Sequence, residues 1–393
     1  MLLAWLLVAT IPARAQNTPE PLQSPPNQAE ANQDASIAIA ENAQGTILLR
    51  KLLLDRKFKI FGRLEGEFAF YDIPSLESQD GADLRRFRIG IAGVISLFER
   101  LSYKLELDLK DQSSTISSAY ITADFGRHGT LTVGNQDGSQ SLNASTGSLS
   151  QLFMEAPLPI GAFGVSKRVG ISYDRSASRN GLHFLLFGRD LNSEARHQGV
   201  SARGYFSPYR SEKGIWHLGA SLLREDIDDE TRLRSRPESY ITDIRLVDTG
   251  WFDDVQSTRR LGLEFAGATG SFTTRFEILR NDWKRDDGSR NRFKGAYLEG
   301  GYFFGGIPFR YVDGKFVRPS LAGIDMAWEL AYRLSWVDLN DGDVQGGEEF
   351  NTGLALNIYP HPGWRGQLNL IYVDSDQADS DGLLFQARLQ FNW

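Results

Sequence analysis

The sequence predicts an all-β fold: a transmembrane antiparallel β-barrel of about sixteen strands, preceded by a signal peptide and a short disordered linker. Three observations carry that expectation. Apolar and polar residues alternate with a period of two from Phe58 onward. Short and long connections alternate between these segments. Aromatic residues collect at the segment ends.

The bulk numbers bound the choice without making it. The chain has 393 residues, 41% of them hydrophobic, and a mean hydropathy of −0.33. A membrane-spanning helix needs about 20 consecutive apolar residues, and no such run follows residue 15. A barrel hides in such averages, because its lipid-facing and lumen-facing residues alternate. With no cysteine, thiol catalysis and Cys-ligated metal or cluster sites are excluded. A net charge of −7 gives no basic footprint for nucleic acid.

Residues 1–15 (MLLAWLLVATIPARA) carry an apolar run from Leu2 to Ile11 and the small-x-small site Ala13-Arg14-Ala15. This is the pattern of a signal peptide cleaved before Gln16, although no basic residue precedes the apolar run. Residues 16–34, rich in Pro, Gln and Asn, cannot bury a core and read as a linker. Within 35–57, Ile37, Ile39, Ile47 to Leu49 and Leu52 to Leu54 allow a short helical or association segment.

The barrel domain is expected over 58–393. In Leu101-Ser-Tyr-Lys-Leu-Glu-Leu-Asp-Leu-Lys110, Leu101, Tyr103, Leu105, Leu107 and Leu109 share one face and the polar residues share the other. A strand sends successive side chains to opposite faces, so one face meets oil and the other water. Sixteen such segments are predicted: 58–72, 83–97, 101–110, 117–125, 129–135, 167–174, 181–189, 199–206, 214–225, 256–268, 271–283, 292–305, 323–337, 348–359, 363–375 and 382–393. The number is even, as bacterial barrels require.

Tight turns are expected at Phe98-Glu99-Arg100, Gly126-Arg127-His128, Ala268-Thr269-Gly270 and Pro360-His361-Pro362. Longer polar loops lie between them, including 136–166, 226–255, 284–291 and 338–347. Short turns at one end and long loops at the other are the layout of an outer-membrane barrel. The segment 306–322 breaks that rule, being long where a turn is expected. Trp251, Trp283, Trp336, Trp364 and Trp393, with Tyr103 and Tyr372, fall near strand ends, where interfacial girdles place aromatics. The sequence stops on Trp393 after an alternating strand, which resembles the aromatic ending common in outer-membrane barrels.

Alternation assigns candidates to an aqueous lumen. With Phe87, Ile89 and Ile91 facing lipid, Arg86 and Arg88 face inward. The same logic turns Arg63, Lys104, Arg168, Arg260, Arg275, Arg333 and Arg388 inward, with acids such as Glu65, Glu106, Glu264, Glu277 and Glu329 beside them. Rows of opposite charge set a field across a pore, or else pair across strands and hold the wall together. Charge is costly on a lipid face, which favours the lumen for the group.

No cofactor or metal is expected. The five His are scattered, no H-E-x-x-H, G-x-S-x-G or P-loop occurs, and the acids at 338–343 and 374–381 lack EF-hand spacing. Those acids read as solvated loops, or as contacts bridged by divalent ions to lipopolysaccharide.

Several stretches, in order, resemble the phosphate-selective porin O and P family. They are Leu84-Arg-Arg-Phe-Arg-Ile-Gly-Ile-Ala-Gly93, Leu101-Ser-Tyr-Lys-Leu-Glu-Leu-Asp108, Ala119-Tyr120 and Leu131-Thr-Val-Gly134. Phe153-Met-Glu-Ala156, Lys167-Arg-Val-Gly170, Arg234-Ser-Arg-Pro-Glu238, Val247-Asp-Thr-Gly250, Ala327-Trp-Glu-Leu330 and Asp338-Leu-Asn-Asp341 follow. The set covers about 84–341. The resemblance implies a sixteen-stranded homotrimeric barrel in the Gram-negative outer membrane, whose third long loop, here 136–166, folds inward and narrows the pore. Phe153, Met154 and Phe163 are suited to anchor that loop. The implied solutes are small anions such as phosphate or polyphosphate; the implied surroundings are outer-membrane lipid and lipopolysaccharide. After Gly134, however, Asn135-Gln136-Asp137-Gly138 stands where the family carries a glutamine-aromatic-lysine type of run. Asp137 joins the pore-lining candidates, and a non-selective or cation-preferring pore stays open beside the anionic one. A barrel enzyme such as a lipase needs a Ser/His/acid set that the spacing does not offer. A secreted soluble β protein leaves the uniform alternation unexplained.

Overall fold

The computed structural model describes residues 58–95, 100–110, 114–138, 140–192 and 197–393. The expected signal peptide, linker and 35–57 segment lie outside the described residues, as do Phe98 and Glu99.

Among the described residues, sixteen long strands form the main sheet. They are β1 (Phe58–Asp72), β2 (Gly81–Val94), β3 (Leu101–Asp108), β4 (Thr115–Asp124), β5 (Thr130–Gln136), β6 (Arg168–Ser176), β7 (Asn180–Phe187), β8 (Gln198–Phe206), β9 (Gly214–Asp226), β10 (Val255–Thr269), β11 (Phe272–Arg285), β12 (Arg290–Phe303), β13 (Ala327–Asp341), β14 (Val344–His361), β15 (Trp364–Ser375) and β16 (Gly382–Asn392). Each pairs antiparallel with its sequence neighbour. β1 pairs with β16 from Arg63↔Asn392 to Asp72↔Leu383, closing the sheet. Closure removes the sheet edges whose unpaired backbone groups could not be satisfied in lipid.

The burial pattern is inside-out relative to a soluble protein. Leu263 and Phe265 are exposed while Glu264 between them is buried; Leu354 is 55% exposed while Asn351 and Asn357 are enclosed. An apolar exterior and a polar interior are what alternation produces when lipid surrounds the barrel.

Two expectations are corrected. The acidic stretch at 338–347 is not a loop: β13 and β14 continue through it to the pair Asp341↔Val344, leaving Gly342-Asp343 as a two-residue turn. Gly342 has φ 59, a conformation that costs glycine nothing, and two residues suffice to reverse an antiparallel pair. Trp283 does not join an outer girdle. It is fully buried on the inner face against Phe252 and Phe293, because its strand position shares parity with the lumen-facing residues. Exposed Trp216, Tyr302, Trp328, Trp364 and Trp393 instead form a belt at the turn end.

Among the described residues, three connections enter the lumen. Loop L3 (137–167) carries short helices at Leu142–Ser145 and Leu158–Phe163. Loop L5 (227–254) carries a small ribbon pairing Arg234–Ser235 with Val247–Asp248. At the turn end, residues 304–326 form a ribbon of Arg310–Val312 and Lys315–Val317. Its Phe316 is fully buried in a cluster with Leu142 and Ile215, and the Arg318 amide donates to Ser150 Oγ at 3.0 Å. This segment is long because it folds into the barrel and meets L3.

Candidate functional site: the constricted lumen

L3 is seated by shape and by charge. Three glycines on the inner wall leave sockets: a Cβ on Gly301 would meet Leu152 at 2.8 Å, one on Gly353 would meet Phe153 at 2.8 Å, and one on Gly295 would meet Pro159 at 2.6 Å. Phe153, Met154 and Phe163 are each at most 2% exposed. Wall side chains satisfy the L3 backbone. Arg365 Nη2 donates to Gln151 O (2.7 Å), Asn357 Nδ2 to Leu152 O (2.9 Å), Arg388 Nη1 to Met154 O (2.7 Å) and Arg333 Nη1 to Glu155 O (2.9 Å). The Leu142 and Asn143 amides donate to Glu277 (3.0 and 2.7 Å).

The candidate residues on the strands turn inward, yet their surroundings divide them. Arg333 and Arg275 are 1% exposed. Arg333 donates to Glu299 (2.7 and 3.1 Å) and Glu238 (3.0 Å). Arg275 pairs with Glu299 at 3.4 Å and lies over Phe316. Both brace the wall against the inserted loops. Arg168 and Arg260 converge on Glu225, at 3.1 and 3.6 Å. Arg63 donates to L3 Ser148 at 2.6 Å. Arg88 pairs with Asp108 (2.7 Å), and Lys104 with Glu106 (2.9 Å). Asp137 is 70% exposed at its side chain and lies 3.6 Å from Lys167. Arg63, Arg88, Lys104 and Glu106, with Lys59 and Tyr120, line a cavity of about 600 Å³ between β1–β4 and Leu149 of L3.

Alternation misses Arg85. The β1–β2 register passes from Glu65↔Arg86 to Gly66↔Leu84, so Arg85 is the extra residue of a bulge. A bulge re-aims its side chain, and Arg85 and Arg86 both point inward. Arg86 donates to Glu65 at 2.5 Å, and Arg85 grips L3 Glu155 with two bonds of 2.8 and 3.0 Å. A signal existed: strict alternation in Leu84-Arg85-Arg86 would put one guanidinium in lipid, at about 2–4 kcal/mol near mid-membrane.

The L5 arginines were also missed. Arg232, Arg234, Arg236 and Arg245, with Glu155, Glu238 and the second helix of L3, line a cavity of about 360 Å³. Arg232 forms a bidentate pair with Asp248, and Arg236 pairs with Asp243 at 2.5 Å. Burial, and then neighbouring Arg236 and Arg234, push the Arg245 guanidinium down to about 10. The spacing of Arg232, Arg234 and Arg236 was the legible signal, in a loop that alternation alone could not place.

A closed barrel with an oily exterior, a charged interior and loops folded into its lumen defines an outer-membrane porin. The chain belongs to the phosphate-selective porin O and P family, whose profile matches residues 58–393. It is 31% identical over 349 residues to an uncharacterised protein of Caulobacter vibrioides, covering 82% of this chain and 70% of that one. It is 23% identical over 391 residues to Porin O of Pseudomonas aeruginosa, covering 85% and 88%. Among solved structures it is similar to the anion-selective porin from Comamonas acidovorans, with a TM-score of 0.53, 14% identity and coverage of 86% and 99%.

Proposed function

We propose that this porin passes small anions, phosphate-type oxyanions foremost, by passive diffusion and without catalysis. The observation that carries the reading is the line of cations from mouth to exit. Arg232, Arg234, Arg236 and Arg245 stand on L5 at the loop end, Arg85, Arg86 and Arg88 on β2, and Lys104 and Lys59 at the turn end. Arginine forks match the oxygens of phosphate, and charges lining a water-filled constriction select by sign. Arg63, Arg168 and Arg260 extend the basic lining; Arg275 and Arg333 support it. A homotrimer set in lipid and lipopolysaccharide, exported through the periplasm after loss of residues 1–15, fits the family and the N-terminal pattern.

A non-selective or cation-preferring pore is the second reading. It is favoured by the carboxylates that pair with Arg85, Arg86, Arg88 and Lys104, and by the exposed Asp137. The reversal potential in a salt gradient across a planar bilayer separates the two. Anion preference with block by added phosphate is expected. Cation preference would overturn the anion reading and make Asp137→Lys the next variant.

A further inference from the structure

Cations gather on one sector of the outer wall, the loop end of β9–β12. The outward parity of these strands is fixed by exposed Trp216, Leu218 and Leu222 on β9, Leu263 and Phe265 on β10, Ile278 on β11 and Tyr302 on β12. Followed towards the loops, the same parity reaches Arg224, Arg259, Arg280, Arg292 and Lys294. Trp216 and Arg224 are eight residues apart, as are Tyr302 and Lys294. Eight residues make about 26 Å of strand, or about 20 Å of membrane at the usual tilt. With Trp216 and Tyr302 in the belt at the turn end, Arg224 and Lys294 stand at the headgroups of the opposite leaflet, where a cation on the outer wall costs little. The long loops mark that leaflet as the outer one, which carries lipopolysaccharide.

The register sets like charges side by side. Arg224 lies opposite Arg259, and Arg280 lies opposite Lys294. Like charges directly opposed destabilise a sheet. Asp282 is the central counterweight. It accepts both bonds of Arg280 (2.6 and 2.8 Å), lies 3.5 Å from Arg292 and is the register partner of Arg259. Arg224 meets Asp226 at 3.3 Å, both side chains more than half exposed, and water screens such a pair. Among the described residues, the side chains of Arg259 and Lys294 have no hydrogen-bond or ion-pair partner. Lys294 has Asp338 across the register, yet the two form no ion pair. The sector therefore keeps an excess of positive charge that the protein itself does not balance.

We propose that this sector is a docking surface for the phosphorylated headgroup of lipopolysaccharide. Its phosphates sit on Arg259, Arg292 and Lys294, and its acyl chains run along Leu222, Leu263, Phe265 and Ile278 beneath. Arginine forks match the oxygens of phosphate, and basic residues at a membrane surface attract anionic lipid. A polyanion laid across the register relieves the repulsion between its opposed cations. The surface lies outside the lumen, so it stands apart from the ion preference of the pore.

The test uses the full-length protein folded in detergent. It is titrated with bisphosphorylated lipid A and with the same lipid stripped of phosphate, and bound lipid is counted by native mass spectrometry. The parent is expected to bind the phosphorylated lipid about tenfold more tightly or better. In the double variant Arg259→Gln, Lys294→Gln that preference is expected to fall at least about fivefold, while chloride conductance in planar bilayers stays within about twofold, because neither side chain faces the lumen. Heat-modifiable gel migration checks folding; if the double variant does not fold, Arg292→Gln carries the test, with a loss of preference again expected and an unchanged preference overturning the proposal. Equal affinity of the parent for the two lipids, or an undiminished preference in the double variant, would overturn the proposal. So would a parent trimer that falls to monomers in the double variant without lipid, which assigns the sector to a subunit interface instead. A reversal potential favouring cations brings down the anion reading and leaves this inference standing.

Discussion

At the scale of single residues, the lumen shows that a basic side chain in a pore is not automatically a pore residue. Arg333 is enclosed among Glu299, Glu238 and the L3 backbone. Burying a charge is costly unless it is paired and hydrogen-bonded, and here the pairing ties both inserted loops to the wall. Arg85 works differently, with one edge on Glu155 and one face on Tyr240. Burial alone would raise the pKa of the Glu155 carboxyl, but Arg85 and Arg388 outweigh it and hold that pKa below the usual carboxylate range. A carboxyl whose pKa is lower when docked than when free favours docking while ionised. L3 docking should therefore be steady above the free value of about 4.3 and weaken as pH falls through the lower docked value. Single-channel recordings from pH 7 to 3 are expected to show rising conductance and open-channel noise only at the acid end. In Glu155→Gln that pH dependence should disappear; if it persists, another group is responsible.

At the scale of elements, L3 is specified as much by the wall as by itself. Gly295, Gly301 and Gly353 remove side chains where Pro159, Leu152 and Phe153 must enter. Glycine within a strand often marks a close approach, and here the approaching group is a loop. Gly353→Leu fills the Phe153 socket. Overpacking of this kind costs about 1–3 kcal/mol, enough to unseat the centre of L3. Conductance is expected to rise and phosphate block to weaken, while heat-modifiable migration remains, since Gly353 keeps its place in the β13–β14–β15 pairing. The 304–326 segment acts on L3 from the other end, through Phe316 and the Arg318 amide.

At the scale of the whole molecule, the barrel depends on closure between β1 and β16 and on an exterior that lipid accepts. Trp393 completes the seam. Its backbone pairs with Gly62, and its ring occupies the space a Cβ on Gly62 would need. The exterior can be tested at Leu354, exposed mid-strand on β14. Leu354→Arg is expected to lower the folding free energy in lipid by about 2–4 kcal/mol, read by denaturant titration of barrel refolded into vesicles. A cost near zero would place that surface in water.

Local patterning along the chain was enough to specify the barrel. A period of two is a local property, and lipid on one side and water on the other forces it onto every strand, so all sixteen segments could be read within a few residues. Alternation also placed Arg63, Arg86, Arg88, Lys104 and Arg260 on the inner face. It could not place Arg85, whose direction comes from a register shift shared with β1. Nor could it separate Arg333 as a brace, or gather Arg85, Lys110 and Arg236 around Tyr240. Those outcomes depend on three connections meeting inside a closed wall. Contacts between segments far apart in the chain leave no periodic trace in it, so they emerge only once the chain has folded.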